Sequence, residues 1–245
     1  MTVLAFRSPA TAGAMTTRSP FVFDAVIDSI CGMAWRELDG DEVMRVAKAY
    51  YYFSVQFREN LAVARALNPG EPKLAALWDA ECDTDNLSPW AGVAAPGERM
   101  NHDEFIRRLL ELHPAGRDTP LEKAGMAYLL RARCVDDTAR AASIASYADG
   151  GLTRVFGAML RAPQWHGQGQ RAFRFFLEQH LRFDGNDETR QGSLSQHLPV
   201  DDRVLPLWTA FRDLLAAAVP RLATVAAVTR RAPRDPVFLR PLRLV

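Results

Sequence analysis

Apolar side chains recur at steps of three and four residues along most of this chain, the spacing that places them on one face of an α-helix. No stretch of convincing length alternates apolar and polar residues as a half-buried strand does. The pattern predicts an all-α protein, a compact bundle of seven or eight helices. The predicted helices cover about residues 21–36, 41–67, 71–83, 120–136, 137–161, 173–188 and 201–227, with a further helix beginning at Asn101. Two interruptions are expected, at Gly150-Gly151 and at Pro220.

Composition divides the chain into three segments. Residues 1–19 are rich in Ser, Thr, Ala, Pro and Gly, which predicts a flexible N-terminal arm before the helical domain of residues 20–228. Residues 229–245 form a Pro-containing tail with five Arg against one Asp. Its apolar residues lie between prolines, so we expect it to pack as an extended arm on the bundle or on a partner subunit. Binding of an acidic ligand is the alternative.

The charge balance limits the classes of partner. Lys and Arg total 30 against 29 Asp and Glu, which leaves no net field to attract nucleic acid or a membrane surface. The three cysteines form no C-x-x-C pair, which favours free thiols in a reducing compartment. No N-terminal run is apolar enough for the core of a signal peptide. We therefore expect a cytoplasmic protein that binds neither nucleic acid nor membrane.

The stretch Phe173–Glu188 places ionisable groups on a helix face that begins aromatic. At 100° per residue, Phe173, His180, Asp184 and Asp187 fall within an arc of about 100°. Buried ionisable groups are costly unless they are paired or bound to a metal, so this face favours a metal or an ionic partner. The alternative is a helix that leaves the core near Gly185, with its last carboxylates solvated.

The chain has five histidines, and only some of them fit a site. His102 lies in the first turn of a predicted helix, where a lone imidazole is more often a surface or capping group than a ligand. His113 ends a helix, which suits the helix dipole and needs no other role. His166 lies in a predicted loop. His197 follows the ionisable face by nine or ten residues and stays a candidate ligand.

Three segments, taken in order, resemble the heme-oxygenase-like diiron oxidases and oxygenases. The motif H-L-R-F-D-G-N-D-E is similar to the H-x-x-x-D signature that closes their metal site. Upstream, W-D-A-E-C-D-T-D followed by N-H-D-E-F-I-R-R-L-L-E-L resembles their acidic helix and the His that comes after it. Between these, A-S-Y-A-D-G-G-L-T-R-V-F resembles the segment in which the family places a Glu seven residues before a Phe. The resemblance covers about residues 45–215.

The resemblance implies a fold of the heme-oxygenase-like type and a centre with two Fe(II) ions, or Mn(II) in their place. The ligands that it implies are Glu81, His102, Asp149, His180 and Asp184. This chain departs from the family in having Asp149 for the usual Glu, and Asp187 or Glu188 where a last His is usual. Helix geometry favours Asp187, which projects about 20° from His180. Glu188 and His197 remain alternatives.

The expected function follows from the same resemblance. It is that of a non-heme diiron oxidase or oxygenase that activates O₂ on a small organic substrate, with an amino acid or amine of natural-product metabolism as our first expectation. An external electron donor and a homodimer are left open. The missing last His favours one rival, a metal-free binding or assembly protein of the same fold. A thiaminase-like enzyme would need a nucleophilic thiol such as Cys134, and a heme oxygenase would need a His before His102.

Overall fold

Residues 22–113, 118–185 and 194–223 are described by a computed structural model, and within these ranges the chain folds into helices joined by short loops. Its α-helices are α1 (Val22–Cys31), α2 (Gly40–Leu67), α3 (Pro72–Glu81), α4 (His102–Glu111), α5 (Thr119–Arg133), α6 (Asp137–Ser146), α7 (Leu152–Met159), α8 (Gln168–Gly185), α9 (Leu194–His197) and α10 (Leu205–Ala218). The backbone of the described ranges forms two isolated β-bridges and no sheet. The predicted all-α bundle is confirmed. The predicted arm of residues 1–19 and tail of residues 229–245 lie outside these ranges.

Helix α2 is the central element of the bundle and begins with a capping box. The Asp39 side chain accepts from the backbone N–H of Glu42 at 2.8 Å, and the Glu42 carboxylate accepts from the N–H of Asp39 at 3.0 Å. The helix ends before Pro69, as the sequence predicts. Along its length α2 packs against α3, α4, α5, α6, α8 and α10. The site described below is built from three of the helices that α2 supports.

Three predicted helices differ from those observed, and one of them, α8, begins at Gln168 rather than at Phe173. The other two differ in where they end. The first was expected to reach residue 36 but ends at Cys31, and a 3₁₀ turn, Trp35–Glu37, follows it. Gly32 comes directly after the last helical residue, and the carbonyl of Ile30 accepts from the backbone N–H of Met33 at 3.2 Å and from the Trp35 indole at 2.8 Å. The last helix, expected over 201–227, is divided into a 3₁₀ turn, α10 and a second 3₁₀ turn that begins at Pro220. Proline cannot continue the backbone hydrogen bonds of α10.

A π-helical turn, Tyr147–Gly151, joins α6 to α7 where the sequence predicts an interruption. Gly150 has φ of +85°, a left-handed conformation that glycine adopts without the clash of a Cβ atom. The turn inserts one extra residue into the helical path and so changes which faces of α6 and α7 point inward. It also carries Asp149, one of the ligands that the resemblance implies.

The core is aromatic and extends along α8 as far as His180. Tyr50 of α2 is surrounded by phenylalanine rings whose centroids lie 5.4–6.4 Å from its own: Phe53, Phe156, Phe173, Phe176 and Phe211. Tilted and edge-on contacts at these distances are the favoured geometries for aromatic rings. The Phe176 ring in turn contacts the imidazole of His180, at 4.2 Å between centroids. The polar site therefore borders this aromatic cluster.

None of the helices in the described ranges combines the length and the apolar character that crossing a membrane requires.

Candidate metal centre

Three side chains from three helices meet at one point. Glu81 ends α3, His102 begins α4 and His180 lies in the second half of α8. The Nδ1 atom of His102 lies 2.7 Å from a carboxylate oxygen of Glu81 and 3.1 Å from Nε2 of His180. One donor atom from each of the three residues lies within 4.8 Å of the other two. Among the described residues this is the one such group of His, Cys, Asp or Glu side chains.

The loop between α3 and α4 brings Glu81 and His102 together. Thr84 and Met100 form an antiparallel bridge, with N–H···O distances of 3.0 and 2.9 Å in the two directions. The backbone N–H of Asp83 also donates to the Asn101 side chain at 3.0 Å. Because residues 84 and 100 are paired, the end of α3 and the start of α4 lie side by side. The loop thus brings together two predicted ligands that are 21 residues apart in the sequence.

The first turn of α4 is held in place by an ion pair beside His102. The Arg58 guanidinium of α2 donates to both carboxylate oxygens of Asp103, at distances of 2.9–3.2 Å. Bidentate pairs of this kind fix orientation as well as charge. The His102 side chain itself is 7% exposed, so its imidazole faces the interior from a restrained helix start.

His180 lies among aromatic rings and is held by its own helix. Its Nδ1–H donates to the carbonyl oxygen of Phe176 at 2.8 Å. The rings of Phe176 and Phe156 lie 4.2 and 5.6 Å from the imidazole, between centroids. This bond leaves Nε2 to face His102. Helix α8 packs against α2, α4 and α7, and this packing positions His180 relative to α4, which carries His102.

Burial and the neighbouring charges set the protonation of the site. Desolvation, with a smaller contribution from the His102 imidazole, lowers the pKa of His180 to about 4, although Glu81 opposes this shift. Burial alone would raise the pKa of the Glu81 carboxyl, but the imidazoles of His102 and His180 outweigh it and hold that pKa below its usual value. At neutral pH the site therefore presents a neutral His180 and an ionised Glu81.

The Nε2 atom of His102 lies 3.0 Å from the side-chain oxygen of Asn86. The sequence does not indicate this residue, because Asn86 belongs to no motif and its position depends on how the α3–α4 loop folds. Both imidazoles thus have one nitrogen bonded to an oxygen outside the cluster and one directed into it. Metal-binding histidines in proteins show this arrangement, in which the outer bond fixes the ring orientation.

Two imidazoles and one carboxylate form a donor set suited to a divalent transition metal. Non-heme Fe(II) sites use it, Mn(II) tolerates it, and catalytic Zn(II) sites use it as well. Two donors bound at about 2.1 Å and at a right angle lie about 3.0 Å apart. The 3.1 Å between the His102 and His180 nitrogens matches this spacing. The 2.7 Å between His102 and Glu81 would need to open by a few tenths of an ångström.

The other predicted ligands are not placed in this group. Asp149 lies in the π turn and Asp184 lies in α8, four residues after His180, but their side chains are outside what the structure describes. Asp187 and Glu188 fall outside the described residues altogether. His197 is described, and its Nδ1 lies 3.3 Å from Glu71, at the opposite end of α3 from Glu81.

Comparison with family models, with curated proteins and with solved structures gave no match to this chain. The resemblance to heme-oxygenase-like diiron proteins therefore stays a prediction. The chemistry of the site has to be inferred from its own side chains.

Proposed function

We propose that this protein is a non-heme iron oxidase or oxygenase that activates O₂ on a small organic substrate. The observation that supports the proposal is the convergence of Glu81, His102 and His180, each contributing an oxygen or nitrogen atom with a free electron pair. All three belong to the ligand set that the resemblance implies, and they come from three separate helices. The substrate class suggested by the resemblance is an amino acid or amine of natural-product metabolism.

The side chains have separate roles in this proposal. Bound Fe(II) would supply the electrons that dioxygen takes up. His180 is already neutral above about pH 4, so its Nε2 lone pair is available to a metal at neutral pH without the loss of a proton. Glu81 brings one negative charge to offset that of a divalent ion. The rings of Phe156 and Phe176 cover one side of His180.

A second ion needs more carboxylates than this group supplies. In the diiron form that we propose, Asp149, Asp184 and Asp187 complete the centre, with Glu188 or His197 as alternatives to Asp187. Carboxylate-rich sites of this composition suit Fe(II) and Mn(II). The first ion would be held by Glu81, His102 and His180, because these side chains already lie together. An external electron donor would be needed if the reaction consumes more electrons than the substrate provides.

One observation favours a second candidate, a metal-free binding or assembly protein. The 2.7 Å between His102 Nδ1 and Glu81 is also the distance of a charge-assisted hydrogen bond. A proton shared within the cluster would satisfy the same three atoms. The fold would then serve as a binding or assembly scaffold, and the three side chains would not bind iron.

Anaerobic titration with Fe(II), followed by exposure to O₂, separates the two candidates. We expect the wild-type protein to bind Fe(II) and to consume O₂, and the His102→Ala and His180→Ala variants to lose both properties. His113→Ala is the matched control, because this imidazole lies 3.3 Å from Asp41 at the other end of α4. The proposal fails if the wild-type protein shows no saturable Fe(II) binding, and the metal-free candidate then stands.

A further inference from the structure

Asn86 lies in the loop after α3, and its side-chain amide connects the end of that helix to His102. The Nδ2 atom donates to the carbonyl oxygen of Ala80 at 2.7 Å, and Oδ1 lies 3.0 Å from Nε2 of His102. Ala80 carries one of the last four carbonyls of α3, which have no acceptor role inside the helix. The backbone N–H of Asn86 donates to the Thr84 hydroxyl at 3.3 Å, so the loop also restrains the amide.

These two bonds determine which nitrogen of His102 carries hydrogen. A carbonyl oxygen can only accept, so the NH₂ group of Asn86 must face Ala80 and its oxygen must face His102. An amide oxygen also can only accept, so Nε2 of His102 must be the N–H of the ring. In a neutral imidazole the lone pair is then on Nδ1. That atom lies 2.7 Å from Glu81 and 3.1 Å from His180.

The same reasoning gives His180 the opposite tautomer. Its Nδ1 lies 2.8 Å from the carbonyl oxygen of Phe176, so Nδ1 carries the hydrogen and the lone pair is on Nε2. The two histidines therefore direct different ring nitrogens to the same point. For His180 the partner is backbone of its own helix, which every residue type would supply. For His102 the partner is one side chain, which a substitution can remove.

We propose that Asn86 is a positioning residue that holds His102 in the Nε2–H tautomer, so that His102 binds the metal through Nδ1 and His180 binds it through Nε2. The inference rests on the proposed metal site. It assigns to a loop residue the role that carboxylates or backbone carbonyls take beside other metal-binding histidines. Without Asn86 the His102 ring is free to rotate and to place an N–H where the ligand atom has to be.

Co(II), used as a spectroscopic probe in place of Fe(II), tests this role. Asn86→Leu removes both hydrogen bonds at similar size, whereas Asn86→Asp keeps an acceptor for His102 and loses the donor to Ala80. Asn68→Leu is the matched control, because Asn68 makes the corresponding bond to Ala64 at the end of α2, at 3.0 Å. We expect Asn86→Leu to weaken Co(II) binding about 10- to 100-fold and to change its visible spectrum. Asn86→Asp and Asn68→Leu should bind Co(II) as the wild type does.

The outcomes distinguish this inference from the proposed function. If the wild-type protein binds no Co(II) and no Fe(II), the metal site is wrong and the role of Asn86 falls with it. If the wild type binds Co(II), and Asn86→Leu has the same affinity and spectrum, the role of Asn86 is wrong and the metal site stands. If Asn86→Leu and Asn86→Asp both bind Co(II) more weakly than the wild type, the role of Asn86 is also wrong.

A measurement on the wild-type protein does not depend on how the variants fold. Protein labelled with ¹⁵N at its five histidines and loaded with ¹¹³Cd(II) shows which ring nitrogens are coupled to the metal. The His102→Ala and His180→Ala variants assign the signals. We expect coupling to Nδ1 of His102 and to Nε2 of His180. Coupling to Nε2 of His102 would overturn the inference, whatever Asn86→Leu does.

Discussion

The Nε2 atom of His180 lies 3.1 Å from Nδ1 of His102, although 78 positions separate the two residues in the chain. The rings meet nearly edge to face, with an interplanar angle of 74°. Such a contact between imidazoles directs two nitrogen lone pairs at one region of space, and Glu81 adds a carboxylate oxygen to it. An arrangement that places three electron pairs together is favourable when a cation or a proton lies among them. The predictions below follow from this relationship and from the packing that holds it.

Removing the charge of Glu81 should weaken metal binding. In Glu81→Gln the side chain keeps its size, but the negative charge that offsets a divalent ion is lost. We expect Fe(II) affinity to fall by at least about 10- to 100-fold, the loss that even outer partners of metal ligands cause. Anaerobic titration monitored by equilibrium dialysis measures it. Asp79→Asn is the control, since Asp79 is an exposed acid on the same helix and should have no effect.

The metal-free protein should lose stability as the pH falls from 7 to 5. The pKa of His180 is about 4 in the folded protein against 6.5 as its reference value, so below about pH 6.5 the unfolded chain binds a proton that the folded chain does not. Lowering the pH reduces the free energy of unfolding wherever the unfolded state binds more protons than the folded state. For this one group the loss is about 2 kcal/mol at pH 5 and about 3 kcal/mol at pH 4. The Glu81 carboxyl has a lowered pKa in the folded protein, so it adds to the loss of stability only when the pH falls to about the usual pKa of a glutamate.

Urea unfolding at pH 7 and pH 5, in the presence of a chelator, measures this dependence. The His180→Asn variant cannot take up a proton at that position, so its stability should change less over the same interval. Equal losses in the wild type and in His180→Asn would show that the site does not hold a neutral imidazole.

The sequence could predict the helices because these depend on local spacing, and periodicity at 3.6 residues identifies α2 and α8. Glu81, His102 and His180 were expected together only because short motifs around them resemble those of a known family. Asn86 could not be predicted, because its role requires the backbone bridge that closes the α3–α4 loop. That bridge consists of main-chain bonds, which any pair of residues can form, and no side-chain pattern marks it.

The end of α1 shows a similar limit. Apolar periodicity continues past Cys31 and predicts a longer helix, but the carbonyl of Ile30 accepts from the backbone N–H of Met33 and from the indole of Trp35. A 3₁₀-type backbone bond supported by a side-chain bond can end a helix that its apolar pattern would continue. Periodicity therefore locates helices better than it locates their ends.

Two glycines in helices should respond to Ala substitution with opposite signs. At Gly125 of α5 an added Cβ would lie 2.1 Å from the Tyr52 ring of α2, so Gly125→Ala should destabilise the fold by about 1–3 kcal/mol through overpacking. Gly157 of α7 has no neighbouring atom within 4 Å of such a Cβ. Gly157→Ala should stabilise by about 0.5–1 kcal/mol, because alanine favours the helix. Thermal unfolding of both variants measures the difference, and a loss of stability in both would contradict the packing at Gly157.

The carboxylates that follow His180 should decide how many ions the protein holds. Asp187 comes seven residues after His180, about 20° away around an undistorted helix, whereas Glu188 is about 80° away. Helix α8 extends to Gly185, within two residues of Asp187. His197 lies beside Glu71 rather than beside Glu81. Asp187 is therefore the residue that we expect in the position where the resembling family has its last His.

Iron content after anaerobic loading and desalting tests this assignment. The wild-type protein should retain two ions per chain, and Asp187→Ala should retain one, because the second ion loses a charged ligand and its affinity is sensitive to each ligand that must be deprotonated. Glu188→Ala and His197→Ala are the matched controls and should retain two. If Glu188→Ala loses an ion and Asp187→Ala does not, the helix turns after Gly185 and the two carboxylates exchange roles. Equal iron in the wild type and in all three variants would mean that none of these residues is a ligand, and that the second ion is held by other groups or not at all.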